Sequence, residues 1–182
     1  MNKLEALEPK TVFNYFEEIC SIPHGSGNMD KISEYCINFA KKNNLRYVCD
    51  EAKNVVIYKD GTKGYENSEP VILQGHIDMV CQKTEDCEID FQKDGLDIYI
   101  DGGFIKANKT TLGADNGIAV AMIMAILESK ELSHPPIEAV FTTDEEIGMI
   151  GATKLDFSLL KSKKMINIDS EEQNVVTVSC AG

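Results

Sequence analysis

Basic residues are in deficit. There are 18 Lys and Arg against 30 Asp and Glu, a formal net charge of −12. Recognition of nucleic acid or an anionic membrane surface needs clustered Lys and Arg, so neither partner is expected. No apolar run is long enough to span a bilayer; the longest, Ile118 to Leu127, reads as a buried helix. Met1 to Lys10 is charged and lacks the apolar core of a signal peptide, so a cytoplasmic protein is expected. The six cysteines (Cys20, Cys36, Cys49, Cys81, Cys87 and Cys180) are irregularly spaced and form no CxxC pair. That disfavours a disulfide framework or a zinc knuckle and leaves free thiols in a reducing compartment. A GxSxG nucleophile motif is missing, and the Gly25-Ser26-Gly27 loop has no lysine at P-loop spacing.

What is present suits one globular domain. With 182 residues, 43% of them hydrophobic and 26% charged, the chain can bury a sizeable core and is neither disordered nor fibrous. Val12, Phe13, Phe16 and Ile19 recur at helical spacing within Pro9 to Ile22, and Ile32, Tyr35, Cys36 and Phe39 do so in a second helix ended by Asn43 and Asn44. Arg46 to Asp50 and Asn54 to Lys59 read as a pair of strands. Leu96 to Ile100 and Phe104 to Lys106 flank Asp101-Gly102-Gly103 as a hairpin. A helix is expected from near Asp115 to about Ser129, and partly helical structure over Thr153 to Leu160. Further strands are expected at Val71 to Leu73, Ile137 to Thr142, Met165 to Ile168 and Val175 to Val178. Helices alternating with short apolar strands predict a layered α/β domain on a mostly parallel sheet. The ending at Ser179-Cys180-Ala181-Gly182, straight after an expected strand, reads as a cut through a longer chain rather than as a natural edge strand.

Chemistry-bearing residues gather where these strands end. His76 and Asp78 follow Val71-Ile72-Leu73; Asp144, Glu145 and Glu146 follow the strand through Phe141; Asp169 follows Met165-Ile166-Asn167-Ile168. Asp115 stands at the start of a buried helix. Ligands of open α/β sheets bind at the carboxyl ends of strands, so these groups can converge. Taken singly, each has an ordinary reading: HxD as polar strand-end residues, the acidic triplet as a solvated turn, Asp115 as a helix N-cap. The triplet, however, runs into the apolar, glycine-bearing Ile147-Gly148-Met149-Ile150-Gly151. Adjacent glutamates also allow one to bind metal while the other takes a proton. Together one imidazole and several carboxylates make a ligand set suited to zinc, manganese or cobalt rather than calcium. His24 is expected to be a turn residue and His134, before Pro135-Pro136, an exposed loop residue.

Gly75-His76-Ile77-Asp78-Met79-Val80, Thr110-Thr111-Leu112-Gly113-Ala114-Asp115-Asn116-Gly117-Ile118, Phe141-Thr142-Thr143-Asp144-Glu145-Glu146-Ile147-Gly148 and Asn167-Ile168-Asp169-Ser170-Glu171 resemble, in this order, the aminoacyl-histidine dipeptidases. These are also called Xaa-His dipeptidases, peptidase D or bacterial carnosinases, and belong to the co-catalytic zinc exopeptidases. Ser21-Ile22-Pro23 and Cys180-Ala181-Gly182 fit as well. The resemblance implies a three-layer zinc-exopeptidase-like catalytic domain, of which residues 1–182 are the N-terminal part. It implies two divalent ions, zinc foremost with cobalt or manganese as alternatives. His76 and Asp169 would hold one ion, Glu146 the other, and Asp115 would bridge them. Glu145 would be the general base and then acid, Asp78 would support His76, and a cis peptide would join Asp115 to Asn116. It further implies a small peptide substrate and a homodimer formed through a lid domain. That lid, the rest of the catalytic domain and the second ion's His ligand lie beyond these residues, so the segment alone is expected to be weakly active or inactive. A related deacylase or tripeptidase, and a non-catalytic metal-binding module, are the competing readings. The spare glutamate speaks against the module.

Overall fold

The most completely buried strand explains the placement of the rest. In the computed structural model, which describes residues 3–170 and 175–178, all six residues of Ile137–Thr142 (β6) are buried. A strand covered on both faces must lie inside a sheet, and β6 is the middle of five in the order β1-β2-β6-β3-β7. Arg46–Cys49 (β1) and Val55–Lys59 (β2) form one side and pair antiparallel. β2 meets β6 antiparallel; Val71–His76 (β3) meets β6, and Met165–Asn167 (β7) meets β3, in parallel. The sheet is therefore parallel where β6, β3 and β7 lie side by side. Its registers pair His76 with Thr142 and Gln74 with Asn167. The carboxyl ends of three strands consequently open at one level.

Lys10–Cys20 (α1), Asp30–Lys42 (α2) and Ala114–Glu128 (α3) supply most of the main core, with Phe16, Ile19, Ile32, Phe39, Ile123, Met124 and Leu127 packing on Val55, Ile57, Leu73 and Phe141. α3 is apolar over nearly all its length, as a helix enclosed by protein should be. The other face carries a smaller cluster, Val56, Tyr58, Ile72, Val140 and Leu155, covered by Ile150–Lys154 (α4) and a 3-10 turn at Phe157–Leu159. A separate hairpin joins Ile98–Asp101 (β4) to Phe104–Ala107 (β5). Among the described residues no helix is long and apolar enough to cross a membrane.

The structure corrects several expectations. The helix looked for over Thr153 to Leu160 begins at Ile150 and is replaced by the 3-10 turn after Lys154. Val175 to Val178 is not a strand; a strand needs a ladder partner, and among the described residues this stretch pairs with none. β7 is short and exposed rather than buried, because among the described residues it pairs only with β3. His134 is buried, not exposed: its backbone N–H donates to Thr62 Oγ1 at 2.9 Å, which folds the loop inward. Cys20, Cys36, Cys49, Cys81 and Cys87 are free thiols. Glu171 and Cys180-Ala181-Gly182 lie outside the described residues.

Candidate metal centre

Four segments distant in sequence meet at the carboxyl ends of β3, β6 and β7. His76, the last residue of β3, is 1% exposed. Its Nδ1 lies 3.0 Å from the backbone carbonyl of Asp78. A carbonyl only accepts, so Nδ1 carries the hydrogen and Nε2 faces the cluster. Nε2 is 3.1 Å from Asp115 Oδ1 and 3.9 Å from Glu145 Oε2. Ligand atoms of His76, Asp115 and Asp169 lie within 4.8 Å of one another, and so do those of His76, Glu145 and Glu146. Two ligands about 2.1 Å from one tetrahedral ion sit roughly 3.4 Å apart. The observed spacings bracket that value, so the donor set fits a divalent ion.

Local backbone puts the carboxylates there. β3 passes the start of α3 so closely that a Cβ on Gly75 would lie 2.5 Å from Asn116 Oδ1. Gly113, at a left-handed φ of 67°, precedes α3, where a Cβ would meet Met79 Sδ at 2.7 Å. Asp115 and Asn116 depart from helical geometry and are joined by a cis peptide, as the resemblance implied. Asn116 turns inward and donates from Nδ2 to the Ile168 carbonyl at 2.6 Å, tying this turn to the segment that carries Asp169. Asp115 itself is not an N-cap; its carboxylate is exposed beside the imidazole.

The acidic triplet divides. Glu145 and Glu146 join the cluster, whereas Asp144, at a left-handed φ of 51°, accepts the Gly27 N–H at 2.6 Å. Asp78 is buried beneath both glutamates. Its Oδ1 accepts Glu145 N–H at 3.0 Å; its Oδ2 accepts Ser26 O–H at 2.7 Å and Glu146 N–H at 3.3 Å. Oδ1 is 3.5 Å from His76 Nδ1, farther than the Asp78 carbonyl. Asp78 thus contacts the backbone of the glutamates as well as facing the imidazole. The sequence offers Ser26 and Gly27 only as part of a glycine loop; Ser26 stands 52 positions from Asp78, a separation that leaves no local pattern. His24 is buried with Nδ1 2.6 Å from the Ile22 carbonyl, and neither ligand group includes it.

The charges are in tension. Burial pulls the His76 pKa down, but Asp78, Asp169 and Asp115 more than reverse this and carry it to about 9. Burial, and then the Asp115 charge, lift the Asp169 carboxyl against the pull of His76. Burial lifts Glu146 too, helped by Asp115, Glu145 and Asp78. By contrast Asp78 is lowered: burial works against it, but His76, the Glu145 N–H and Ser26 outweigh burial. A cluster in which two carboxyls and an imidazole are all pushed upward is short of positive charge. A divalent ion held there would supply it.

No protein-family model matches the chain. The cytosol non-specific dipeptidase of Escherichia coli K12 is 43% identical over 182 residues, all of this chain and 38% of that protein. The crystal structure of aminoacylhistidine dipeptidase from Vibrio alginolyticus matches with a TM-score of 0.90 and 44% identity, over 93% of this chain and 35% of the other. The likeness to an aminoacylhistidine dipeptidase thus extends over 93% of this chain. A tripeptidase from Staphylococcus aureus shares the fold, with a TM-score of 0.76 at 23% identity over 91% of this chain and 44% of that one. The chain spans less than two fifths of the length of the two dipeptidases.

Proposed function

We propose that these residues are the N-terminal, metal-holding part of a cytoplasmic dipeptidase that hydrolyses Xaa-His and related dipeptides with two divalent ions, zinc foremost. The observation that carries the reading is the meeting of His76 Nε2 with two groups of carboxylates, Asp115 with Asp169 and Glu145 with Glu146. Asp115 touches His76 and influences both Asp169 and Glu146, which suits it to bridge. His76 and Asp169 would complete one ion's set, and Glu146 would serve the other. Among the described residues the two groups share one imidazole, His76.

Ions held there would supply Lewis acidity toward a scissile carbonyl and would lower the pKa of a water. The chain's own residues do the rest. Glu145 takes the proton of the water and passes it to the leaving amine, which leaves Glu146, its neighbour in the same group, to hold the ion. His76, its Nδ1–H held by the Asp78 carbonyl, faces the cluster through Nε2, which would give up the proton favoured by its raised pKa when an ion binds. Asp78 fixes the glutamates from below.

The test is Glu145→Gln in the complete protein, with metal content and dipeptide hydrolysis measured together. Turnover should fall by about 10²- to 10⁴-fold, the usual contribution of a positioned acid–base, while metal content is kept. Retained turnover would place the base elsewhere.

A further inference from the structure

We infer that Ser26 is a positioning residue: by clamping the buried carboxylate of Asp78 it fixes the backbone of the Glu145–Glu146 pair. Only the expected effect on turnover rests on the dipeptidase reading. The clamp itself rests on geometry.

Asp78 is 1% exposed, and its two oxygens are held unequally. Oδ1 has the Glu145 N–H at 3.0 Å and the His76 ring at 3.5 Å. Oδ2 has the Glu146 N–H only at 3.3 Å, and its short bond is the Ser26 hydroxyl at 2.7 Å. Without that hydroxyl the carboxylate keeps one good bond and can turn about its Cβ–Cγ axis. Both glutamate amides would then lose a fixed acceptor. Hydrogen bonds to an ionised acceptor are the stronger ones, so this loss is not minor.

Ser26 can serve as an anchor because its own loop is tied down. Met79 N–H donates to the His24 carbonyl at 3.2 Å, and Ser26 N–H donates to the Met79 carbonyl at 3.3 Å. The next residue grips the far side of the same turn through Gly27 N–H and Asp144 Oδ1 at 2.6 Å. Asp144 directly precedes the glutamates in a left-handed conformation that non-glycine residues rarely adopt. Residues 24–27 therefore hold the acidic turn at Asp78, below it, and at Asp144, at its entry. A glycine-serine-glycine loop that resembles a weak phosphate cradle in sequence is instead a brace.

The experiment uses the complete metal-loaded protein and compares Ser26→Ala with Ser26→Thr, which restores a hydroxyl. Amide hydrogen exchange is read at Glu145 and Glu146, with Ile57 and Val140 as references in the sheet. Ser26→Ala should speed exchange at the two glutamates about tenfold and leave the references unchanged. On a dipeptide substrate kcat should fall about tenfold while KM stays within twofold, in keeping with outer partners of metal ligands. Ser26→Thr should restore both. Exchange at the two glutamates that is unchanged in Ser26→Ala, or that rises equally across the sheet, overturns the clamp. So does a folded Ser26→Thr no better than Ser26→Ala. Raised exchange confined to the two glutamates, in a protein that cleaves no dipeptide even unmodified, upholds the clamp and removes the dipeptidase reading instead.

Discussion

At the amino end of β6 the buried carboxylate of Glu138 accepts Lys161 N–H at 2.9 and 3.1 Å and Ser162 N–H at 3.1 Å. At the carboxyl end of the neighbouring β3, Asp78 is buried and bonded in much the same way, by two backbone N–H groups and a hydroxyl. The ends differ in what surrounds these two acids. Lys161 and Ser162 bring Glu138 backbone donors and no ligand group, and the carboxylate closes a loop. Beside Asp78 stand Asp115, Glu145, Glu146 and Asp169, with one imidazole among them. Burial of a carboxylate is therefore no sign of function. A surplus of carboxylates over donors is, because it leaves a demand that only a cation meets.

The contrast breaks most sharply at His76. It is the one residue common to both ligand groups, so His76→Ala should weaken binding of zinc or cobalt by about a hundredfold or more. Competition with a chromophoric chelator reads this directly. Affinity unchanged in the variant would take His76 out of the ligand set and make the two ends of the sheet equivalent. Glu138→Ala should do the reverse. It removes the charged acceptor of the Lys161 and Ser162 N–H groups and should lower unfolding free energy by about 1–3 kcal/mol in denaturant titration, with metal affinity within twofold of the unmodified protein. A loss of metal affinity there would mean that the two ends are coupled.

Much of this was legible in the sequence, for physical reasons that also mark where legibility ends. β6 was legible because Ile137 and Ala139-Val140-Phe141, set between Pro135-Pro136 and the threonines and acids that follow, have few other readings. That His76, Asp115, the glutamates and Asp169 come together was legible because each ends a strand or begins a helix, where side chains of a parallel sheet converge. The split of the acidic triplet was not legible. Nothing in Asp144-Glu145-Glu146 says that the first will turn back to Gly27, 117 positions away. The brace by Ser26 and the burial of His134 under Thr62 are contacts of the same kind: single long-range bonds without periodicity. Val175 to Val178 failed in the other direction. Its composition suits a strand, but composition supplies no ladder partner.

The smallest expected effect is the one that separates crowding from structure most finely. Glu146 has a carboxyl raised above its ordinary value, by burial first and then by Asp115, Glu145 and Asp78. A raised acid binds its proton more tightly folded than unfolded, so its ionised form opposes folding wherever pH exceeds the ordinary carboxyl range. Glu146→Gln keeps the shape and removes the charge. In metal-free protein at neutral pH it should therefore raise stability, by no more than about 1 kcal/mol given that the side chain is partly solvated. The gain should vanish as pH falls below the ordinary carboxyl range, where the native residue is protonated in both states. With metal present the sign should invert, because the variant has lost a ligand and the ion no longer stabilises the fold as strongly. Thermal midpoints of the two proteins, with chelator and with zinc, give all three comparisons. A variant less stable than the unmodified protein without metal would mean that Glu146, like Glu138, is held by its surroundings rather than crowded by them.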